Sequence, residues 1–304
     1  MDRRKFLKSV GMATAAVTLP GCGTGMLASK PSRKDWKGLR VRFLGTGAAD
    51  WNGKDSRGEH RRLSSILLDN RILVDFTQSD RDMLPEGCAP KVIFYTHSHG
   101  DHYDPAPAIE LGIGTAYVGA TWANRAAMEM EEVSRRLGKP APEIIPISVG
   151  QRVSVGDISL TALPANHATG DLSEQTLIYL IEKEDVRLLY ATDTGGIPVV
   201  AARLAGIDAH IPGQNGITAL IMEATMGMGK KGDEDYRIFT HSSVDTVLRT
   251  VHVLESTGRY HPMKGQRVYL THLARTLHGT QAELDAALPD PLTAAYDGLE
   301  TVFK

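Results

Sequence analysis

The feature that most constrains this chain is a run of three histidines and one aspartate within six residues, from His97 to His102. It directly follows residues 92–95, a short β-branched and aromatic stretch that predicts a buried strand. Imidazole nitrogen is the commonest protein ligand for zinc and other first-row metals, and carboxylate oxygen suits harder ions. The turn that carries His97, His99, Asp101 and His102 is therefore predicted to bind metal. Such a cluster can serve two closely spaced ions.

Other predicted strands also lead to residue types that bind metals. The strand-rich stretch 144–163 precedes His167, the strand 186–190 precedes Asp193, and the strand 268–270 precedes His272. A single loop histidine often has no special role, but ligands that recur at successive strand ends favour one shared site.

The order of the predicted elements indicates the architecture. The strands fall into two blocks, and helices lie between and after them. This order predicts an α/β fold, a four-layer αββα sandwich, formed by one domain over residues 38–304. Residues 45–47 form a Gly-Thr-Gly sequence, but no third glycine or helical pattern follows. They are predicted to form a tight turn beside the metal site and not a dinucleotide-binding loop.

Composition excludes several classes of protein. With 42% apolar and 23% charged residues, the chain has ample material for a globular core. The net charge of −2 argues against general nucleic-acid binding, because proteins that bind polyanions carry a basic excess. Two cysteines, Cys22 and Cys88, cannot form a disulfide framework or a cysteine-based zinc module. No run of eighteen apolar residues occurs, so no ordinary membrane span is predicted.

Residues 1–22 have the pattern of a bacterial export signal. The paired Arg3 and Arg4 resemble a twin-arginine signal, and the sequence Leu-Pro-Gly-Cys that ends at Cys22 resembles a lipoprotein processing box. Residues 23–37 are small, polar and basic, as in a tether. We therefore expect the twin-arginine machinery to export the protein to the periplasm or cell envelope. Cys22 would carry the lipid, and membrane contact would be limited to this signal or anchor.

The ligand run, His167, Asp193 in T-D-T-G and His272 in T-H-L together resemble the metallo-β-lactamase superfamily of αββα hydrolases, over residues 39–304. The resemblance implies two divalent metal ions per chain, with a water or hydroxide between them as the nucleophile. The first ion would be held by His97, His99 and His167, the second by Asp101, His102 and His272, and Asp193 would bridge them. A histidine-rich site suits zinc, while the second site would also accept manganese or iron.

The second half of the chain narrows the resemblance. The sequence E-A-T at 223–225 and H-S-S at 241–243 resemble the tRNA 3′-processing nucleases and related phosphodiesterases. In those families the histidine of the second motif protonates the leaving oxygen, so His241, together with Asp101, is implied as catalytic. The G-T-G start and Y-D-G-L at 296–299 are most similar to the cyclic-phosphate phosphodiesterase of bacterial phosphonate breakdown. The structural-zinc cysteines of that family and the tRNA-gripping arm of the nucleases are both missing.

The resulting prediction is a binuclear metallohydrolase that cleaves a small phosphodiester, with cyclic phosphates among the candidate substrates. Candidate phosphate contacts are Arg61, Arg62, Arg275 and His278. The alternative is a lactonase or β-lactamase on the same scaffold. Against a β-lactamase stands Asp193, because the common zinc β-lactamases have a cysteine there. A third hypothesis, an envelope lipoprotein that only binds, is disfavoured by the complete set of ligands.

Overall fold

The computed structural model describes residues 37–229 and 236–304. The predicted export signal, with Arg3, Arg4 and Cys22, and all of the tether except Lys37 lie outside the described residues. In chain order the strands are β1 (Leu39–Gly45), β2 (Ser65–Leu68), β3 (Ile72–Val74), β4 (Val92–Phe94), β5 (Thr115–Gly119), β6 (Glu143–Ile147), β7 (Arg152–Val155), β8 (Ile158–Pro164), β9 (Leu177–Lys183), β10 (Val186–Ala191), β11 (Ala219–Glu223), β12 (Val268–Thr271), β13 (Leu292–Ala294) and β14 (Glu300–Phe303). The α-helices are α1 (Pro105–Leu111), α2 (Ala123–Leu137), α3 (Val199–Leu204), α4 (Val244–Ser256) and α5 (Gln281–Ala287), and two short 3-10 helices cover Gln78–Met83 and Tyr236–Phe239.

The strands form two mixed sheets of seven strands each. The first has the order β14-β1-β2-β3-β4-β5-β6, and the second has the order β13-β12-β11-β10-β9-β8-β7. Within each sheet, one half pairs antiparallel and the other half pairs parallel. The carboxyl ends of parallel strands meet at one edge of a sheet, so the loops that follow them are brought together.

Three apolar clusters separate four layers. On β2, Ile66 and Leu68 pack between the two sheets, while Leu67 faces the other way, towards α1 and α2. On the second sheet, Ala201 of α3 and Val247 of α4 belong to an outer cluster. This alternation follows from the two-residue period of a strand buried on both faces. The predicted αββα sandwich is confirmed, and among the described helices none is long and apolar enough to cross a membrane.

Two helices begin directly after residues of the predicted site, and each start is capped by a side chain. Helix α1 was not predicted; it begins directly after the ligand run, where Asp104 accepts a hydrogen bond from the Ala106 backbone nitrogen at 3.1 Å. At the start of α4, the side chain of Ser243 accepts one from the Thr246 nitrogen at 3.2 Å. Each cap satisfies a backbone donor that would otherwise lack a partner, and so it fixes where the preceding loop ends.

Candidate metal centre

The structure brings the seven predicted ligands together in two groups. The first is His97, His99 and His167, and the second is Asp101, His102, Asp193 and His272; within each group the ligand atoms lie within 4.8 Å of one another. They reach this position because β4, β8, β10 and β12 end at the same side of the sandwich. Asp193 contacts both groups, since its Oδ2 lies 3.5 Å from His97 Nε2 and 2.5 Å from His102 Nε2.

The imidazole nitrogens face one another in a way that fits divalent cations. His99 Nδ1 lies 3.0 Å from His97 Nε2 and 3.2 Å from His167 Nε2, and in the second group His102 Nε2 lies 3.2 Å from His272 Nε2. A neutral imidazole has one N–H and one lone pair. Where the N–H is used outside the centre, the lone pair points inward and repels its neighbours unless a cation lies between them. The donor set of imidazoles and carboxylates suits zinc, manganese or iron.

Asp75 provides such an outside partner, and the sequence analysis missed it. Its fully buried carboxylate accepts hydrogen bonds from His102 Nδ1, from the Thr96 backbone nitrogen and from Thr96 Oγ1, each at 2.8 Å. Since Thr96 Oγ1 donates to Asp75, it can accept from His97 Nδ1 at 3.0 Å. These bonds turn the Nε2 atoms of both histidines inward. Asp75 directly follows β3, so the pattern of a polar residue after a buried strand could have revealed it.

His167 and His272 are oriented in the same way. His167 Nδ1 donates to the Thr240 carbonyl at 3.3 Å, and His272 Nδ1 bonds with Thr225 Oγ1 at 2.8 Å. Partners of this kind fix the tautomer and the ring angle of a ligand before the metal arrives. The centre therefore has ordered support on the side away from the facing nitrogens.

Electrostatics keeps several of these groups in forms that can bind metal. His102 is the exception: burial would lower its pKa, but the charges of Asp193, Asp101 and Asp75 raise it well above its usual value, so this ring must release a proton when a metal binds. Burial lowers the pKa of His167 and, with the charge on His102, lowers that of His97 well below its usual value. Both rings are therefore neutral at pH 7. Burial alone would raise the pKa of Asp193, but the neighbouring imidazoles of His272 and His102 hold it well below its usual value. The Asp193 carboxylate is therefore ionised.

His241 lies at the edge of the second group but is bonded to a carboxylate. Its Nδ1 is 3.1 Å from both oxygens of Glu223, which is fully buried, and 3.3 Å from Asp193 Oδ1. Burial would lower the pKa of His241, but the hydrogen bond and charge of Glu223, with the charge of Asp193, raise it to about 9. The loop that carries His241 packs closely on Gly195, where an added Cβ would lie 2.3 Å from the Phe239 carbonyl oxygen.

The predicted phosphate contacts are engaged elsewhere. Arg61 is 5% exposed and donates to Thr46 Oγ1, the Ala295 carbonyl and Gln281 Oε1, at 2.8, 2.7 and 2.7 Å. The remaining three bond with other protein groups: Arg62 with Asp82 at 2.7 Å, Arg275 with Asn52 at 2.8 Å, and His278 with the Ala224 carbonyl at 2.6 Å. Burial and these bonds argue against a phosphate contact for Arg61, and all four residues bond to other protein groups in the structure.

Comparison with known proteins identifies the chain's relatives. A sequence model of the beta-lactamase superfamily domain matches residues 70–273. A diphosphatase from the PhnP family is 19% identical, with a TM-score of 0.60 over 88% of this chain and 98% of that one. The short form of human tRNase Z is 14% identical, with a TM-score of 0.61 over 87% and 99%. Yeast PDE1 is 11% identical, with a TM-score of 0.59 over 88% and 99%. No curated protein matches the chain significantly, and structural likeness at these identities shows the fold alone.

Proposed function

Because this chain belongs to the beta-lactamase superfamily and pairs His241 with Glu223 beside its metal centre, we propose that it is a binuclear phosphodiesterase acting on a small, linear or cyclic phosphodiester. The single observation that carries the proposal is the position of His241. Its Nδ1 is bonded to Glu223, and among the described residues no group bonds its Nε2. The ring therefore has a fixed orientation and one N–H that a substrate can use.

The leaving group explains what this pair would contribute to phosphodiester cleavage. An alkoxide that leaves phosphorus is a strong base, so the reaction gains from an acid that delivers a proton as the bond breaks. With a pKa of about 9, His241 carries that proton at neutral pH. The two hydrogen bonds to Glu223 would hold the ring in place as the charge of His241 changes. A lactone also expels an alkoxide and a lactam expels a still more basic nitrogen, so carbonyl hydrolysis could use the same donor and remains the alternative reaction.

The other residues of the site would bind the metals. Two bound divalent cations would supply an activated water and neutralise the charge that develops on the phosphoryl oxygens. The two groups of ligands would hold these cations, with Asp193 shared between them. Asp101 would take part in catalysis as a ligand of the second group. Zinc is the first candidate, and manganese or iron the alternatives, because the second group mixes imidazole and carboxylate.

The test compares three substrates with the chain loaded with zinc or with manganese. Bis(p-nitrophenyl) phosphate, a chromogenic lactam and a chromogenic lactone are assayed under the same conditions. We expect metal-dependent cleavage of the phosphodiester that is lost in Asp193→Ala. The matched control is Asp157→Ala, because that aspartate is 57% exposed and pairs with Arg71 on the surface. Cleavage of the lactam or lactone alone would refute the proposal and favour carbonyl hydrolysis.

We also propose, from the first 22 residues alone, that the protein is exported by the twin-arginine machinery and anchored through lipid on Cys22. Replacing both Arg3 and Arg4 by lysine should keep the protein in the cytosol. Replacing Cys22 by serine should release it from the membrane fraction without blocking export. Unchanged fractionation of both variants would rule this out.

A further inference from the structure

A second buried carboxylate, Glu174, lies behind the first group of ligands. Its side chain is 0% exposed. Oε1 accepts a hydrogen bond from the Ser98 backbone nitrogen at 2.8 Å, and Oε2 accepts from Ser98 Oγ and from Arg125 Nη2, both at 2.6 Å. Ser98 stands between His97 and His99, so Glu174 is bonded to the middle of the ligand run.

Glu174 also belongs to the loop that carries the third ligand of this group. Thr169 Oγ1, two residues after His167, donates to Glu174 Oε2 at 3.3 Å, and Thr176 Oγ1 donates to the His167 carbonyl at 3.0 Å. One carboxylate therefore joins two segments that are about seventy residues apart in sequence. Together these segments supply His97, His99 and His167.

Arg125 offsets the cost of burying the Glu174 carboxylate. A buried carboxylate without a counter-charge is costly, and Arg125 provides the charge from helix α2. Its Nη2 also donates to Ser98 Oγ at 2.9 Å, and its guanidinium lies 5.7 Å from the ring centre of the buried Trp122. The helix therefore anchors the ligand run through Arg125 and Glu174.

The second group of ligands has different support. His272 is held through Thr225 Oγ1 at 2.8 Å, and His102 through Asp75 at 2.8 Å. Among the described residues, the contacts of Glu174 reach neither of these histidines. Glu174 therefore supports the first group alone, whereas Asp75 supports His102 directly and His97 through Thr96.

We propose that Glu174, paired with Arg125, is a positioning residue that makes the first metal site selectively tight. It fixes the backbone of Ser98 and the loop after His167, so that three imidazoles converge before the ion binds. The inference goes beyond the proposed reaction: it concerns metal affinity and holds whatever the substrate is. Loss of a supporting partner of this kind costs about 10- to 100-fold in metal affinity.

The experiment measures both zinc dissociation constants of the full chain, stripped and titrated against a chromogenic chelator. Glu174→Gln keeps an acceptor for the Ser98 nitrogen but offers an amide where Arg125 needs a carboxylate. We expect one of the two zinc equivalents to bind about 10- to 100-fold more weakly and the other to stay within about threefold. Cobalt absorption should assign the weakened equivalent to the all-histidine group.

Two further variants make the result specific. Thr225→Val, which removes the bond to His272, should weaken the other equivalent instead. Arg125→Gln should weaken the same equivalent as Glu174→Gln, and the double variant of Glu174 and Arg125 should lose less than the sum because two neutral amides can bond. Glu300→Gln removes a carboxylate that pairs with Arg40 at 3.5 Å and is 36% exposed; it should change neither constant.

Two outcomes would overturn the proposal. Unchanged affinity of both equivalents in Glu174→Gln and Arg125→Gln would mean that the pair only packs. Equal weakening of both equivalents, together with a lower melting temperature of the metal-free protein, would mean that the pair supports the whole domain. Neither readout uses a substrate, so a failure of the phosphodiesterase proposal leaves this test intact.

Discussion

Replacing His241 by glutamine should separate proton donation from metal binding. Glutamine can still bond Glu223, the partner that lies 3.1 Å from His241 Nδ1, but it cannot protonate a leaving group. General acid catalysis contributes about 10²- to 10⁴-fold, which corresponds to about 3–5 kcal/mol in activation free energy. We therefore expect turnover of a dialkyl phosphate to fall by about that factor, while the metal content stays at the wild-type level.

A comparison of two leaving groups tests whether His241 acts as the proton donor. Two phosphodiesters that differ only in the leaving group, one alkyl and one p-nitrophenyl, are assayed with the wild type and the variant. The p-nitrophenyl ester needs little proton donation, so its turnover should fall much less. His252→Gln is the matched control, because that histidine is exposed on α4. An equal loss for both esters, or a loss of metal, would refute the reasoning.

Three other predictions follow from buried carboxylates. In Glu223→Gln the pKa of His241 should drop from about 9. Turnover declines as His241 loses its proton, so in a pH–rate profile of this variant the decline should begin at lower pH. Asp75→Asn places an N–H against His102 Nδ1, so zinc titration should show about 10- to 100-fold weaker binding; wild-type affinity would exclude a positioning role for Asp75. Burial raises the pKa of Asp80 to about 7 in the native state. Between about pH 4 and pH 7 the native state therefore binds more protons at Asp80 than the unfolded state does, and the free energy of unfolding should fall as the pH rises through this range. Asp80→Asn should remove that slope in urea unfolding at pH 5 and pH 8, and a retained slope would assign it to another group.

The sandwich and the seven ligand positions could be predicted because both follow from local patterns. Short apolar runs such as Ile93-Phe94 predict buried strands, and a polar residue directly after such a run has few reasons to be there except a site. Helix α1 was missed although Asp104 and Pro105 are typical of a helix start, because the helix is only seven residues long and directly follows the ligand run.

The support of the site could not be predicted in the same way. Glu174 lies in a polar loop with no periodic pattern, and its partners Ser98 and Arg125 are far from it in sequence. Only tertiary packing shows that its carboxylate is buried. Arg61 shows the opposite case: an arginine near a predicted site suggested a phosphate contact, while in the structure it is buried and makes three hydrogen bonds within the protein.

Backbone conformation explains why the strand ends that carry the site have so little freedom. Asp75, Asp193 and His272 follow β3, β10 and β12, and all three have positive φ angles of 58°, 45° and 53°. For a residue other than glycine this left-handed conformation costs of order 1–3 kcal/mol, and aspartate and histidine tolerate it better than most. Glycine at these positions would relieve the strain but would also remove the side chain. The strain therefore persists because each side chain is held from the far end, as in the three 2.8 Å bonds to Asp75. We infer that the same bonds that orient the ligands also hold the backbone in a conformation that the sequence alone would not favour.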